Sequence, residues 1–252
     1  MREAQIAILI FVCLVVASLG SMLTHERLPS RHRQDDTTGV VRLVANIFVV
    51  MTSLVMGLML NSARNTFEQI DHNVHDYATQ LILLDRALRD YGPEAEDARQ
   101  PLIAYVQRIV DNETRPSNEP ATVANKLSER LIGEIGSRLR TLKPANAEQT
   151  VLWQDARQNL QKVIELRWTL IEQSEGTIPR LLIVMLVAWL VLVFASFGFR
   201  APRNAVVVTT FVASSALLAA SLYLVLDMDV PFDGPIQVSP APLERALAEL
   251  KN

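Results

Sequence analysis

The chain has 252 residues, of which 50% are hydrophobic and 20% charged. A soluble domain keeps about a quarter of its residues charged, so the apolar excess points away from an ordinary soluble fold. The single cysteine, Cys13, excludes an intramolecular disulfide. A net charge of −3 offers no basic surface for nucleic acid.

Four apolar runs hold the excess. Residues 6–23, 181–199 and 205–226 carry no charge, and residues 40–60 are interrupted only by Arg42 and Asn46. A bilayer core of roughly 30 Å needs about 20 helical residues, and each run has that length. In lipid such a run must be helical, because an unpaired backbone group is too costly there. The first run is longer than the roughly 7–15 apolar residues of a signal peptide, so it reads as a retained span. Cys13, in its middle, reads as a small apolar packing residue.

The expected fold class is therefore all-α. Transmembrane helices occupy 1–60 and 179–226, two in each, and an extramembrane helical bundle fills 61–178. A tail follows at 227–252. Four crossings place both termini and the bundle on one side of the membrane. The short loops on the other side carry Arg27, Arg31, Arg33, Arg200 and Arg203. The bundle side has Arg2, Arg64 and Arg180 near the membrane and the acidic Asp227, Asp229 and Asp233. Lys and Arg in short loops mark the cytoplasmic face, so this count leans towards a bundle outside the cytoplasm.

The bundle begins with Phe67, Ile70, Val74, Tyr77, Leu81, Leu84, Leu88 and Tyr91 at alternating spacings of three and four. That rhythm draws one stripe along a helix packed against others. No Pro or Gly separates it from the second apolar run, so the two form one continuous helix, which Gly92 and Pro93 end. A second helix is expected over 94–112, with Leu102, Tyr105, Val106 and Ile109 inward. A third, over 122–142, carries Val123, Leu127, Leu131, Ile135 and Leu139. Asn146 and Gln149 form a capping box for a fourth. That helix carries Leu152, Ala156, Leu160, Ile164, Trp168 and Ile171. In the tail, Asp227, Pro231, Phe232 and Gly234 form a turn that docks a short helix through Leu243, Leu247 and Leu250.

Several residues invite a chemical reading. Asn46, Ser53, Gly57 and Asn61 make a weakly polar face on the second run. It serves either as the wetted face of a pore or as close helix packing with a small-xxx-small contact, the commoner use. Thr210, Ser214 and Ser221 with Ala213 and Ala220 read as packing in the same way. Arg42 reads as snorkelling to the headgroups. His72 and His75 are three apart on one helix, but Ile70 and Val74 hold the seam, so the pair is expected in solvent without a metal. Asp227, Asp229 and Asp233 alternate as calcium ligands do, yet no closing Glu follows and Pro231-Phe232 interrupts the loop. No phosphate loop, nucleophile elbow or zinc motif is present, so neither an enzyme nor a cofactor is expected.

The stretch 57–64 (GLMLNSAR), 81–86 (LILLDR), 91–95 (YGPEA) and the tail 226–234 (LDMDVPFDG), with Val238-Ser239 and Pro242-Leu243, resemble the bestrophin-like family of bacterial membrane proteins. The resemblance implies a bacterial cytoplasmic membrane and a homo-oligomer. It also implies a second span lining a path for small ions and, against the charge count, a bundle in the cytoplasm. Two features depart from bestrophins: the tail lacks their dense acidic calcium-binding run, and the second run has one phenylalanine, Phe48, where a row would form a hydrophobic neck. Two functions follow. One is an oligomeric ion channel. The other is a non-conducting membrane-anchored sensor or scaffold whose bundle binds a ligand or partner.

Overall fold

The computed structural model describes residues 2–24, 35–114, 121–174, 178–199, 201–230 and 235–252. Among them the helices are α1 (Arg2–Thr24), α2 (Asp35–Tyr91), α3 (Glu96–Thr114), α4 (Ala121–Thr141), α5 (Ala147–Gln173), α6 (Arg180–Gly198), α7 (Ala205–Asp229) and α8 (Ala241–Lys251). A single 3-10 turn, Pro93–Ala95, lies between α2 and α3. The chain divides into two compact units. One holds residues 1–67 and 176–237, and the other 68–175 and 238–252. The boundaries drawn from the sequence were 60/61, 178/179 and 226/227. The last differs most, because the first unit extends to residue 237 and α8 belongs to the second.

In the first unit α1 packs against α6 and α7. The core joins Ile10 and Leu14 to Met59, Ala63, Leu186, Leu190, Phe194, Leu222 and Val225. Helices in lipid gain little from apolar contact alone, so close approach through small residues matters more. Gly198 provides it: a Cβ there would stand 2.2 Å from the Ser18 carbonyl oxygen. One turn away the Ser21 hydroxyl donates to the Ala195 carbonyl at 2.5 Å. Arg203 donates to the last carbonyls of α1, Met22 at 3.3 Å and Leu23 at 3.2 Å, which caps that end with a cation. Asn204 caps α7 by accepting from the Val207 amide at 2.8 Å.

Among the described residues four helices, α1, α2, α6 and α7, are long and apolar enough to cross a bilayer. Most of their side chains find no cover within the chain. Leu9, Leu43, Val50, Leu54, Leu181, Val206 and Leu217 are all exposed. A display of this size is untenable in water and natural in lipid.

In the second unit the seam forms as its spacing predicts. Ile70, Val74, Tyr77, Leu81, Leu84, Leu88 and Tyr91 are all buried. Gly92 ends the helix at φ +118°, a conformation open to glycine and strained for other residues. On α3, Leu102, Tyr105 and Val106 are buried as expected, while Val110 takes the inner position in place of Ile109. The capping box closes: Asn146 accepts from the Gln149 amide at 2.7 Å, and the Gln149 side chain accepts from the Ala145 amide at 2.8 Å. The buried Tyr77 and Tyr105 hydroxyls are bonded to each other. Burial pushes the Tyr105 phenol above its usual range, against the lowering effect of Tyr77 and Arg167.

The stripes of α4 and α5 match the expectation at Ile135, Leu139, Ala156 and Leu160 and differ elsewhere, the side chain of Val123 lying outside the described residues. On α4 the buried line is Ser128, Ile132, Ile135 and Leu139, and Leu127 is exposed. On α5 it is Ala156, Leu160 and Val163, and Trp168 is 55% exposed. Steps of four overshoot a 3.6-residue turn by about 40° each, so a run in fours leaves the core within a few turns. The Trp168 ring lies beside the Arg167 guanidinium, 5.6 Å away.

The Gly198 contact makes a direct prediction. Gly198→Ala should destabilise the detergent-solubilised protein by about 1–3 kcal/mol, because the partner atoms are backbone. Gly57→Ala, whose Cβ would meet nothing within 4 Å, should cost nothing. Melting followed by size-exclusion chromatography separates the two. Equal melting temperatures would contradict the packing described.

Candidate functional site

The apolar part of α2 has two distinct faces. Ala45, Thr52, Met59 and Ala63 are buried. Asn46, Ser53, Gly57 and Asn61 are all exposed. Each step along a helix turns the side chain by about 100°, so the polar stripe stands well round from the packing stripe. The close packing of Ser53 and Gly57 expected from the sequence is not found within this chain. Nothing lies within 4 Å of a Cβ on Gly57. The Ser53 hydroxyl donates back to the Val49 carbonyl at 2.9 Å. A hydroxyl satisfied this way carries no unmet donor, so it tolerates an exposed position.

The small-residue face of α7 is likewise unpacked within this chain. Thr210, Ala213, Ala220 and Ser221 are exposed and Ser214 half-buried. The packed stripe is Ser215, Ala219, Leu222 and Val225. Thr210 and Ser221 donate to their own helix, to Val206 at 2.8 Å and Leu217 at 2.9 Å. The structure nevertheless brings parts of both faces together. Ser53, Thr210 and Ser214 border one groove of about 400 Å³ with Phe194, Phe197 and Phe211. Phe48 packs at a tilt on Trp189 of α6, with ring centres 6.3 Å apart.

The tail carboxylates serve the backbone. Asp227 and Asp229 are buried, at 2% and 5% exposure. Asp227 accepts from the Ile236 amide at 2.9 Å, and Asp229 accepts from the Ile178 amide at 3.1 Å. One carboxylate thus ties Ile236 to the end of α7, and the other holds the chain entering α6. Pro231, Phe232, Asp233 and Gly234 lie outside the described residues, as do His25, Arg27, Arg31, His32, Arg33, Gly176, Arg200 and the side chains of Arg2, Arg42 and Arg180. The helix expected after them docks as read: Leu243, Leu247 and Leu250 are buried.

His72 and His75 are exposed, each 3.7 Å from a carboxylate one turn away, Asp76 and Asp71 respectively. Among the described residues no three His, Cys, Asp or Glu side chains converge as metal ligands.

One charged cluster escaped the sequence reading. Asp85 is 2% exposed. Its two oxygens pair with the Arg99 Nε and an Arg89 Nη, both at 2.7 Å. The signal was present: Asp85 stands four residues after Leu81 and three before Leu88, so it shares the seam. A carboxylate there must be paired to be tolerated. Elsewhere in the bundle, α4 and α5 border a groove of about 640 Å³, with Arg140, Arg157, Gln154, Gln158 and Glu165 among its walls.

A model of the bestrophin-like domain family matches residues 12–243. Among solved structures the chain is similar to several point variants of a bacterial bestrophin homolog from Klebsiella pneumoniae. One is 14% identical with a TM-score of 0.67, covering 98% of this chain and 99% of that one. A second is 13% identical with a TM-score of 0.68, covering 97% of each. A third is 13% identical at 0.67, again covering 97% of each. At this identity the likeness speaks for the fold alone. Among curated proteins none matches the sequence significantly.

The tail carboxylates yield a test. Asp227→Ala leaves the Ile236 amide without its acceptor, at a cost of about 1–3 kcal/mol. Amide exchange at Ile236 should accelerate in Asp227→Ala and be largely restored in Asp227→Asn, which keeps an acceptor oxygen. An unchanged rate in the alanine variant would show that the bond does not hold the turn.

Proposed function

Because the chain belongs to the bestrophin-like family, we propose that it is an oligomeric ion channel of a bacterial cytoplasmic membrane, with α2 lining the path. It is a membrane protein by its apolar helices and its family. The observation that carries the channel reading is the exposed stripe of Asn46, Ser53, Gly57 and Asn61, with open space around Gly57. The side-chain amides of Asn46 and Asn61, unlike the Ser53 hydroxyl that bonds its own helix, are groups that at membrane depth face protein or water, since lipid offers them nothing. Copies of the chain arranged about an axis would turn this stripe inward. Its amides, hydroxyls and glycine backbone would then line a neutral path for chloride or small cations.

In this reading α1, α2, α6 and α7 cross the membrane, and the bundle and both termini share one side. Kinship with bestrophins favours the cytoplasm for that side, against the arginine count of the short loops. The protein acts without catalysis. The second reading, a non-conducting sensor or scaffold, is supported by the open groove between α4 and α5, whose Arg140 and Arg157 suit a polar partner.

Reconstituted in liposomes, the oligomer should carry a measurable flux of chloride or potassium. Ser53→Trp or Gly57→Trp should lower that flux about tenfold or more by filling the path, while Met51→Trp, on another exposed face of α2, should leave it. Absence of flux from correctly assembled wild-type protein would remove the channel reading and leave the scaffold.

A further inference from the structure

The Asp85 cluster holds more than an ion pair. Arg99 donates to the Leu250 carbonyl at 2.6 Å, and Arg89 donates to the Glu249 carbonyl at 3.3 Å. Both carbonyls belong to the last turn of α8: Leu250 lies past the last intrahelical donor, and Glu249 shares its carbonyl with the Asn252 amide at 3.3 Å. That end of a helix also carries its negative partial charge, which cations stabilise. Asp85 therefore orients two guanidinium groups, and those groups close the end of another helix. The neighbouring Lys251 ammonium adds a bond to the Gln107 side chain of α3.

α8 has 11 residues. An isolated helix shorter than about 12–15 residues is marginal in water, so α8 owes its helical state to its dock. The dock has two parts. One is the apolar stripe of Leu243, Ala246, Leu247 and Leu250, all buried. The other is the Arg89–Asp85–Arg99 cluster at the far end. Upstream, Asp227 holds the backbone at Ile236. Residues 237–240 are the tether between that anchor and the first residue of α8.

We propose that α8 is a folding-coupled latch: a helix when docked and a coil when released, with the Arg89–Asp85–Arg99 cluster setting the balance. Release would expose the apolar strip beneath α8 and free two arginines, while α3, α4 and α5 keep their own core of Leu102, Tyr105, Val106, Ile135 and Leu160. This proposal does not depend on ion conduction.

Hydrogen exchange on the full chain in detergent micelles or nanodiscs tests it. In the wild type, α8 amides should exchange through a local opening and so faster than the core amides of α3. Arg99→Met removes the bond to Leu250 from the bundle side. Leu250→Ser weakens the dock from the α8 side and leaves the cluster's side chains in place. Each should speed α8 exchange by about tenfold or more and leave α3 to α5 within about twofold. If Arg99→Met fails to fold, Arg89→Met, which loses the bond to Glu249 and leaves Arg99 on Asp85, tests the cluster in its place. Unchanged α8 protection in Leu250→Ser would overturn the latch. So would an equal loss of protection across α3 to α5, because α8 would then be an inseparable part of the core.

Discussion

A peptide group placed in hydrocarbon has to find its hydrogen bond within its own helix or lose several kcal/mol. That constraint shapes the whole chain. It makes the four apolar runs helices before any packing is considered. It also explains why their hydroxyls turn back on the carbonyls one turn earlier, as Ser53, Thr210 and Ser221 do. α2 extends the same pattern over 57 residues. Along its length the face that matters changes. First comes a packing stripe of Ala45, Thr52, Met59 and Ala63 beside an open polar one, and then the seam from Ile70 to Tyr91.

The seam of α2 was legible because its spacings of three and four average close to the helical repeat and stay on one side. The stripes of α4 and α5 were legible only in part: Ile135, Leu139, Ala156 and Leu160 are buried as read, but a run in fours rotates steadily away from the core. Leu127 and Trp168 stand outside for that reason, and Ser128 and Val163 stand inside. Residue type alone placed the start of α5 and the stop at Gly92. It did not place the polar stripes, since small hydroxyl residues suit a packed interface and an open face equally. Only the neighbouring helices decide, and their approach is set by contacts such as Gly198 on Ser18 that no local pattern reveals.

Charges were harder to read than apolar residues, because a carboxylate's role depends on which donors the fold brings to it. Asp227 and Asp229 resemble calcium ligands in sequence and in fact accept backbone amides. Asp85 sits within a leucine seam and survives there because Arg89 and Arg99 reach it from one turn away and from α3. Asp227 and Asp229 fasten the chain near helix ends, and Asp85 ties α2 to α3. The family resemblance pointed at the same stretches, 81–86 and 226–234, without saying what their aspartates do.

The central claim is that the open stripe of α2 meets water inside an assembly of identical chains. Cysteine scanning of positions 46–61 on a Cys13→Ala background, in native membranes with a small charged thiol reagent, tests it most directly. The account predicts that labelling rises at positions 46, 53, 57 and 61 and falls on the faces between. Uniformly silent positions, or labelling that follows the buried line of 45, 52 and 59, would contradict it.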